Sequence, residues 1–387
     1  MSEGTGAIRQ RKGGGFGVFV QSPLHFIGTV FILFLIFVAV SNVAAGEYEL
    51  RQFLQQLVFG LAQGSIYSLI ALGYTLVYGI LFMINFAHGE VFTAGAYSGF
   101  FTMYAFAQSG FLADHTVIAL ALTFLSGMTA SVMVAVALEG IAYRPLRNAP
   151  RLVPLITAIG ASITLQQLYL RLFGASARRF PDVNLYVLPQ IFNDKECSTV
   201  DGVEVCRGLD IVGGIYPVDL LGFTLRLRPI SFIVFFSALF IMWALWTFIQ
   251  KTKTGKAMRA VAEDKNTASL MGINVDRVIV TTFMLGGALA GAGAVLFVII
   301  PGNGQVSPLM GFFPGIKAFT AAVIGGIGNV PGAMFGGLFL GVVESVGPSL
   351  LGISNQLRDV ISFGLLVLIL IFRPTGFFGE VLSEKKV

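Results

Sequence analysis

Long apolar stretches separated by shorter polar ones run along almost the whole chain, and this pattern predicts membrane-spanning helices. A helix needs about 20 apolar residues to cross the hydrocarbon core of a bilayer. By that measure we predict about ten spans, at residues 24–45, 52–80, 90–108, 116–141, 152–173, 229–250, 277–300, 313–328, 331–348 and 356–373. Glycine or proline interrupts the stretches at 52–80 and 313–348, so counts of eight and nine spans stay open.

The predicted fold is all-α, a polytopic bundle of transmembrane helices in two halves. Five spans precede a polar stretch and five follow it, and an odd number of spans per half inverts one half relative to the other. The short sequences Phe92-Thr93-Ala94 and Phe319-Thr320-Ala321 each open the third span of a half. We divide the chain into a basic arm with the first helix (1–50), a first half of the core (51–173), an insert (174–228), a second half (229–379) and a tail (380–387).

Composition agrees with this pattern and excludes a soluble globule. Of the 387 residues, 55% are hydrophobic and 12% are charged, against roughly 25% charged residues in soluble domains. The 47 glycines allow neighbouring helices to approach closely in a membrane, where hydrophobicity gives no driving force between them.

The net charge of +5 does not indicate a nucleic-acid partner. The positions of the basic residues along the chain indicate the membrane topology instead. The basic residues form short clusters between apolar segments, as loops facing the cytoplasm do. These clusters are the N-terminal arm, Arg144 with Arg147 and Arg151, the run from Lys251 to Lys265, and Arg373 with Lys385 and Lys386. They predict that both termini lie in the cytoplasm. Two cysteines and three scattered histidines predict no metal site.

The segment 24–45 also resembles a signal peptide, because a sequence like a cleavage site ends it at 41–46. Its apolar stretch is longer than the roughly 7–15 residues of a signal-peptide core. We therefore predict a retained helix, with removal as the alternative.

The insert 174–228 is predicted to lie on the outer, periplasmic side of the membrane. Its basic residues are balanced by acidic ones, and it contains both cysteines, Cys197 and Cys206. A short loop closed by a disulfide fits an oxidising compartment. Two unpaired thiols are the alternative.

Polar residues inside apolar stretches are candidates for a substrate path, because an ionisable group is costly in a membrane. We predict such a path from Asn85, His88, Glu90, Lys317, Thr320 and Glu344. Structural alternatives stay open: Asn85 as a helix cap with Glu90 near the helix dipole, and Lys317 and Glu344 extending to the membrane surface.

Residues 258–274 predict a short helix on the basic side, ended by Gly272. Either it is a solvated loop helix, or it docks into a partner with Leu270 and Met271 as apolar anchors. The glycine-rich run 325–332 is either a tight turn between two spans or part of a path.

The sequence contains no glycine-rich phosphate loop, no dinucleotide fingerprint and no metal-binding helix motif. We therefore predict that this chain does not hydrolyse ATP itself, is not an enzyme and needs no cofactor.

Several stretches together resemble the branched-chain amino acid ABC transporter permease family, most of all its H-type subunit. They occur in family order at 64–79, 84–90, 143–147, 262–274, 317–328 and 373–376. The N-terminal residues 1–46 and part of the insert are additional to that pattern.

The resemblance implies a subunit of a bacterial inner membrane that pairs with a second, related permease. It also implies two cytoplasmic ATPase subunits and a periplasmic binding protein that delivers leucine, isoleucine or valine. The coupling helix would lie around 268–272. Only half of the family's Glu-Ala-Ala-xxx-Gly pattern is present there. We assign ATPase coupling to Glu263, Asp264, Ala268, Leu270 and Gly272.

Two alternatives to this function stay open. One is a permease of the same family for urea, short amides or a broad range of neutral amino acids. The other is a channel or ion-coupled carrier that works without partners.

Overall fold

The computed structural model describes residues 37–38, 40–46, 49–147, 149–150, 152–181, 186–187, 197–200, 203–206, 209–210, 212–220, 223–300 and 303–379. Most of the predicted first span at 24–45 and the tail 380–387 lie outside the described residues.

Helices make up most of this part of the chain. The main ones are α1 (Leu50–Leu81), α2 (His88–Gln108), α3 (Thr116–Leu138), α4 (Leu152–Phe173), α5 (Pro229–Lys251), α6 (Lys253–Glu263), α7 (Lys265–Leu270), α8 (Val275–Ile299), α9 (Phe312–Gly325), α10 (Val330–Leu350) and α11 (Arg358–Phe372). Single turns of helix lie at Phe111–Asp114, Glu139–Tyr143, Arg144–Leu146 and Asn355–Leu357.

Seven helices of the described chain are long and apolar enough to cross a membrane, and each coincides with a predicted span. They are Leu50–Leu81, Thr116–Leu146, Leu152–Phe173, Pro229–Lys251, Val275–Ile299, Val330–Leu350 and Asn355–Phe372. Helix α2 is long enough but less apolar, and α9 has only 14 residues. The count of ten is therefore not confirmed.

The two interrupted stretches have different outcomes. Helix α1 is continuous over 32 residues despite its glycines. The stretch 313–348 divides into α9 and α10, because Gly326 and Gly328 adopt positive φ angles of 99° and 95° that end α9. The glycine-rich run is thus a turn.

Helices α1 and α8 form the centre of the bundle and contact each other. Helix α1 packs along α10, and α8 packs along α3. Helix α2 packs against α3 and α8, whereas α9 packs against α10 and α1. The two central helices thus have equivalent neighbours: α9 and α10 pack against α1, and α2 and α3 pack against α8.

Glycines permit the closest of these contacts. A methyl group added at Gly64 of α1 would lie 2.8 Å from the carbonyl oxygen of Gly337 in α10, and one added at Gly60 would lie 2.9 Å from that of Gly341. On α8, a methyl group at Gly291 would lie 2.5 Å from the carbonyl oxygen of Gly127 in α3. The backbones themselves are therefore in contact at both crossings.

The described residues of the insert 174–228 form short strands and no helix, whereas the rest of the described chain is mostly helical, as predicted. Its strands form antiparallel pairs: β1 (Arg178–Arg179) with β8 (Gln305–Val306), β2 (Tyr186–Val187) with β5 (Leu209–Asp210), β3 (Cys197–Val200) with β4 (Val203–Cys206), and β6 (Tyr216–Leu220) with β7 (Phe223–Leu227). The signal was in the sequence, since Asp201-Gly202 between β3 and β4 is a pair that favours two-residue hairpins.

Two strand registers locate the insert side of the bundle and the two cysteines. The β1–β8 pairing places the ends of α4 and α8 on one side of the bundle, which we call the insert side. The β3–β4 register sets Cys197 opposite Cys206. Directly opposed residues have Cα atoms about 4.5–5.5 Å apart, within the range that disulfides span. The side chains lie outside the described structure, so the disulfide stays a prediction.

We predict that Gly341→Ala destabilises the chain, because its methyl group would contact the Gly64 backbone. Overpacking of this kind costs about 1–3 kcal/mol. The matched control is Gly364→Ala on α11, where the methyl group meets no atom within 4 Å and a helical alanine is favourable by about 1 kcal/mol. Unfolding in detergent should separate the two, and equal stabilities would contradict close packing at Gly341.

Candidate functional site

Helices α2 and α9 begin beside each other within the helical core. The backbone N–H of Gly311, just before α9, donates to the Thr93 hydroxyl of α2 at 3.1 Å. A methyl group at Gly89 or Gly311 would contact the other's backbone, and one at Gly315 would lie 3.0 Å from Gly89 Cα. Helix N-termini have free N–H groups and a partial positive charge. This meeting point is therefore polar although apolar helices surround it.

Glu90 lies in the first turn of α2 and is 1% exposed. Its Oε1 accepts hydrogen bonds from Gln166 Nε2 (2.7 Å) and Ser162 Oγ (3.3 Å), both on α4. Its backbone oxygen accepts one from the Tyr169 hydroxyl at 3.0 Å. Its Oε2 has no hydrogen-bond partner, and within the described chain no cation pairs with it. Glu90 thus has one engaged and one free oxygen.

His88 is enclosed by the two central helices. Its ring meets Tyr74 edge-on, with centroids 4.9 Å apart, and lies so close to Gly73 of α1 that any side chain there would overlap it. Its Nε2 has no hydrogen-bond partner. His88 therefore adds a second unsatisfied polar atom to the start of α2.

Asn85 does not cap α2, so the capping alternative is wrong. The N-cap residue is Ala87, and no side chain caps this helix. Instead, Asn85 Oδ1 accepts a hydrogen bond from the Tyr143 hydroxyl at 2.5 Å. The amide is engaged by a residue from the turn after α3, and it links that turn to the segment before α2.

Lys317 and Glu344 form a buried ion pair between α9 and α10. Lys317 Nζ lies 2.5 Å from Glu344 Oε1 and 2.7 Å from Asp359 Oδ1. Arg358 Nε lies 3.6 Å from Glu344 Oε1, and Ser362 donates to Glu344 Oε2 at 3.2 Å. Two cations and two carboxylates therefore balance in one network that includes α11.

Neither Lys317 nor Glu344 extends to the surface, so the snorkelling alternative is wrong: they are 4% and 5% exposed. Thr320 stands apart from this network, because its hydroxyl donates to Ile316 O of its own helix at 2.9 Å. Among the described residues, none of these groups could hold a metal ion.

The predicted coupling helix is two helices, α6 and α7, so the single helix at 258–274 is wrong. Asp264 interrupts it with extended backbone, and its carboxylate accepts hydrogen bonds from the N–H groups of Asn266 and Thr267. The Thr267 hydroxyl also donates to it, and these bonds lower the pKa of Asp264. An aspartate that caps a helix satisfies its free N–H groups, which explains the break.

The exposed end of α7 carries apolar side chains. Leu270 and Met271 are 88% and 79% exposed, whereas Ala268 is buried. Gly272 follows with a φ angle of 82° and turns the chain toward α8. Glu263 ends α6. The structure therefore presents Leu270 and Met271 outward, as a docking segment requires.

The sequence profile of a family described as "Branched-chain amino acid transport system / permease component" matches residues 56–370. The chain belongs to this family. No solved structure matches it.

Individual permeases are similar over most of the chain. The high-affinity branched-chain amino acid transport system permease protein BraD of Pseudomonas aeruginosa is 41% identical over 337 residues, covering 87% of this chain and 99% of that protein. The permease protein LivH of Escherichia coli (strain K12), of the same description, is 42% identical over 337 residues, covering 86% and 97%. LivH of Salmonella typhimurium is 42% identical over 333 residues, with the same coverage.

In this permease the predicted path residues other than Thr320 form two separate clusters. Asn85, His88 and Glu90 lie around the start of α2, and Glu90 is held by α4. Lys317 and Glu344 lie where α9, α10 and α11 meet. We call them the Glu90 cluster and the Lys317 network.

The partners that complete both clusters were not predicted from the sequence. Ser162, Gln166 and Tyr169 recur at helical spacing on one face of α4, and this polar face within an apolar span was a readable signal. Asp359 and Arg358 stand at the start of α11, where charges are common. Their sequence position therefore gave no indication of a role inside the bundle.

We predict that Lys317→Met destabilises this permease more than Glu344→Gln does. Removing Lys317 leaves two carboxylates facing each other, and breaking a buried pair in this way costs about 3–5 kcal/mol. Removing the Glu344 charge still leaves Lys317 paired with Asp359. Unfolding in detergent should show this order, and the double variant should recover part of the loss. A larger loss for Glu344→Gln would contradict the network.

Proposed function

We propose that this chain is a permease subunit of an ATP-binding-cassette importer for branched-chain amino acids. The observation that carries the proposal is identity of 41–42% along 86–87% of the chain to permease proteins of high-affinity branched-chain amino acid transport. No covalent chemistry occurs in the chain itself.

The proposed partners are a second, homologous permease subunit, two cytoplasmic ATPase subunits and a periplasmic amino-acid-binding protein. The exposed Leu270 and Met271 at the end of α7 support ATPase docking there, because an apolar anchor framed by charges is typical of a helix that binds a groove. In this proposal Glu263, Asp264, Ala268 and Gly272 shape the docking segment.

We also propose that the two halves of the core are inverted copies. Phe319 follows Phe92 by 227 residues, and Gly287 and Gly291 follow Gly60 and Gly64 by the same number. Lys317 likewise follows Glu90 by 227 residues. The packing agrees: α1 with α10 corresponds to α8 with α3, and α2 with α8 corresponds to α9 with α1.

The start of α2 and the start of α9 then meet near the pseudo-twofold axis, where inverted-repeat transporters bind substrate. We propose Asn85, His88, Glu90, Lys317, Thr320 and Glu344 as path residues with two roles. The free oxygen of Glu90 suits a substrate ammonium group, and the Lys317 network positions α9. ATP binding by the partners separates the two helix ends and opens the path between them.

The side that carries α6 and α7 faces the cytoplasm in this proposal, and the insert side faces the periplasm of a bacterial inner membrane. Arg144, Arg147 and the lysines of α6 and α7 share the first side, in agreement with the positive-inside rule. The described C-terminal residues join it, because Phe377 N–H donates to Ile324 O at the end of α9.

We predict that Leu270→Asp abolishes ATP-dependent leucine uptake by vesicles that contain the full complex. Loss of an interface hot spot costs at least about 2 kcal/mol, or roughly thirtyfold in affinity. Stability of the chain itself should not change, because Leu270 is 88% exposed. Leu270→Met is the matched control and should retain uptake.

If the Leu270→Asp complex takes up leucine at the normal rate, Leu270 does not dock to the ATPase subunits. The transport proposal itself fails if the unmodified complex hydrolyses ATP but takes up no leucine. Inhibition of leucine uptake by unlabelled urea or alanine would instead indicate a permease for urea, short amides or a broad range of neutral amino acids. A chain that transports without ATPase subunits would be a channel or an ion-coupled carrier.

A further inference from the structure

A cavity of about 230 Å³ lies on the α6–α7 side, between the ends of several helices. Its walls include Leu81 and Phe82 at the end of α1, Pro154 at the start of α4, and Arg147 from the turn after α3. Lys265, the first residue of α7, also lines it. The cavity therefore joins the proposed coupling segment to the transmembrane core.

Positive charge exceeds negative charge at this cavity. The terminal nitrogens of Arg147 bond to Glu139 and Asp276, and Arg144 lies 3.7 Å from Asp276. Two carboxylates thus balance the two arginines, and Asp276 lies between both. Lys265 remains without a counter-charge, because nothing in the described chain forms an ion pair or hydrogen bond with it.

Both cations at the cavity retain unsatisfied donors. Arg147 Nε is buried and has no hydrogen-bond partner, although its terminal nitrogens do. Lys265 is half-buried, and the carboxylate of its neighbour Asp264 is engaged with Asn266 and Thr267. Burial, followed by the positive charge of Arg147, lowers the pKa of Lys265. An anion between the two cations would satisfy both.

The cavity lies at the level where candidate spans end. Leu81 and Leu146 are the last residues of two spans, and Pro154 lies in the first turn of a third. The ends of membrane spans mark the boundary between hydrocarbon and water. Apolar walls beside two cations at that depth match a phospholipid, whose acyl chains adjoin a phosphate.

We propose that this cavity binds a phosphate group, and that an anionic phospholipid supplies it, with Lys265 and Arg147 as its ligands. Free phosphate shares the same chemistry and is the other source. Because Lys265 begins α7, the bound headgroup would attach the docking segment to the chain before α2. Lipid composition would then influence coupling between the ATPases and the path.

The test uses the purified full complex in phosphatidylcholine nanodiscs that contain fluorescent phosphatidylglycerol. Lys265→Ala should reduce phosphatidylglycerol bound per complex about fivefold, as loss of one basic contact does. Lys265→Arg should keep it, and the exposed Lys256→Ala on α6 is the matched control. Unfolding temperatures of the three variants exclude a folding defect.

Radiolabelled inorganic phosphate, measured by equilibrium dialysis in discs without phosphatidylglycerol, is the second arm. Lys265-dependent binding of phosphate, with no dependence for phosphatidylglycerol, would assign the cavity to a soluble ion and overturn the lipid source. Binding of neither probe that depends on Lys265, or an equal loss in Lys256→Ala, would overturn the site itself.

Discussion

Backbone contact between helices at glycine is the interaction on which the rest of this structure depends. Lipid is as apolar as leucine, so helices in a membrane associate through close packing and not through hydrophobic burial. The pairs Gly60/Gly64 and Gly287/Gly291 place α1 and α8 against α10 and α3 at distances that no side chain would allow. With these two crossings fixed, α2 and α9 fill the space beside them, and their first residues meet.

Close packing of apolar helices leaves polar side chains without water, so each needs a partner inside the bundle. The Lys317 network meets this need by charge pairing, with two cations and two carboxylates from three helices. The Glu90 cluster meets it in part, because Glu90 Oε2 and His88 Nε2 have no partner. A satisfied network stabilises one arrangement of helices, whereas an unsatisfied carboxylate is available to a passing cation. This contrast is why we place substrate contact at Glu90 and a positioning role at Lys317.

Sequence patterns predicted what depends on local chemistry. Apolar length identified the seven helices of the described chain that are long and apolar enough to cross a membrane. Of its buried ionisable residues, His88, Glu90, Lys317 and Glu344 were chosen as site residues, whereas Glu139 was not. Two local signals were not used. Asp201-Gly202 is a pair that favours hairpins, and Asp264 is of a residue type preferred at the N-cap of a helix. Other features depend on residues distant in the chain. Capping of the next helix by Asn85 was an open alternative, but Asn85 bonds to Tyr143, 58 residues later. Lys317 pairs with Glu344 and Asp359 through packing that no local pattern encodes. The substrate, the partners and the orientation in the membrane are proposed from family membership and from the positions of the charges.

The central claim is that two halves of opposite orientation build the core, with Leu50 and Arg277 at equivalent positions, 227 residues apart, at the start of α1 and α8. Both residues are exposed. The direct test is labelling of Leu50→Cys and Arg277→Cys, each in a chain whose Cys197 and Cys206 are changed to serine, with a membrane-impermeant maleimide. We expect Leu50→Cys to react in intact cells and Arg277→Cys to react only after permeabilisation. Reaction of both from the same side of the membrane would contradict inverted halves.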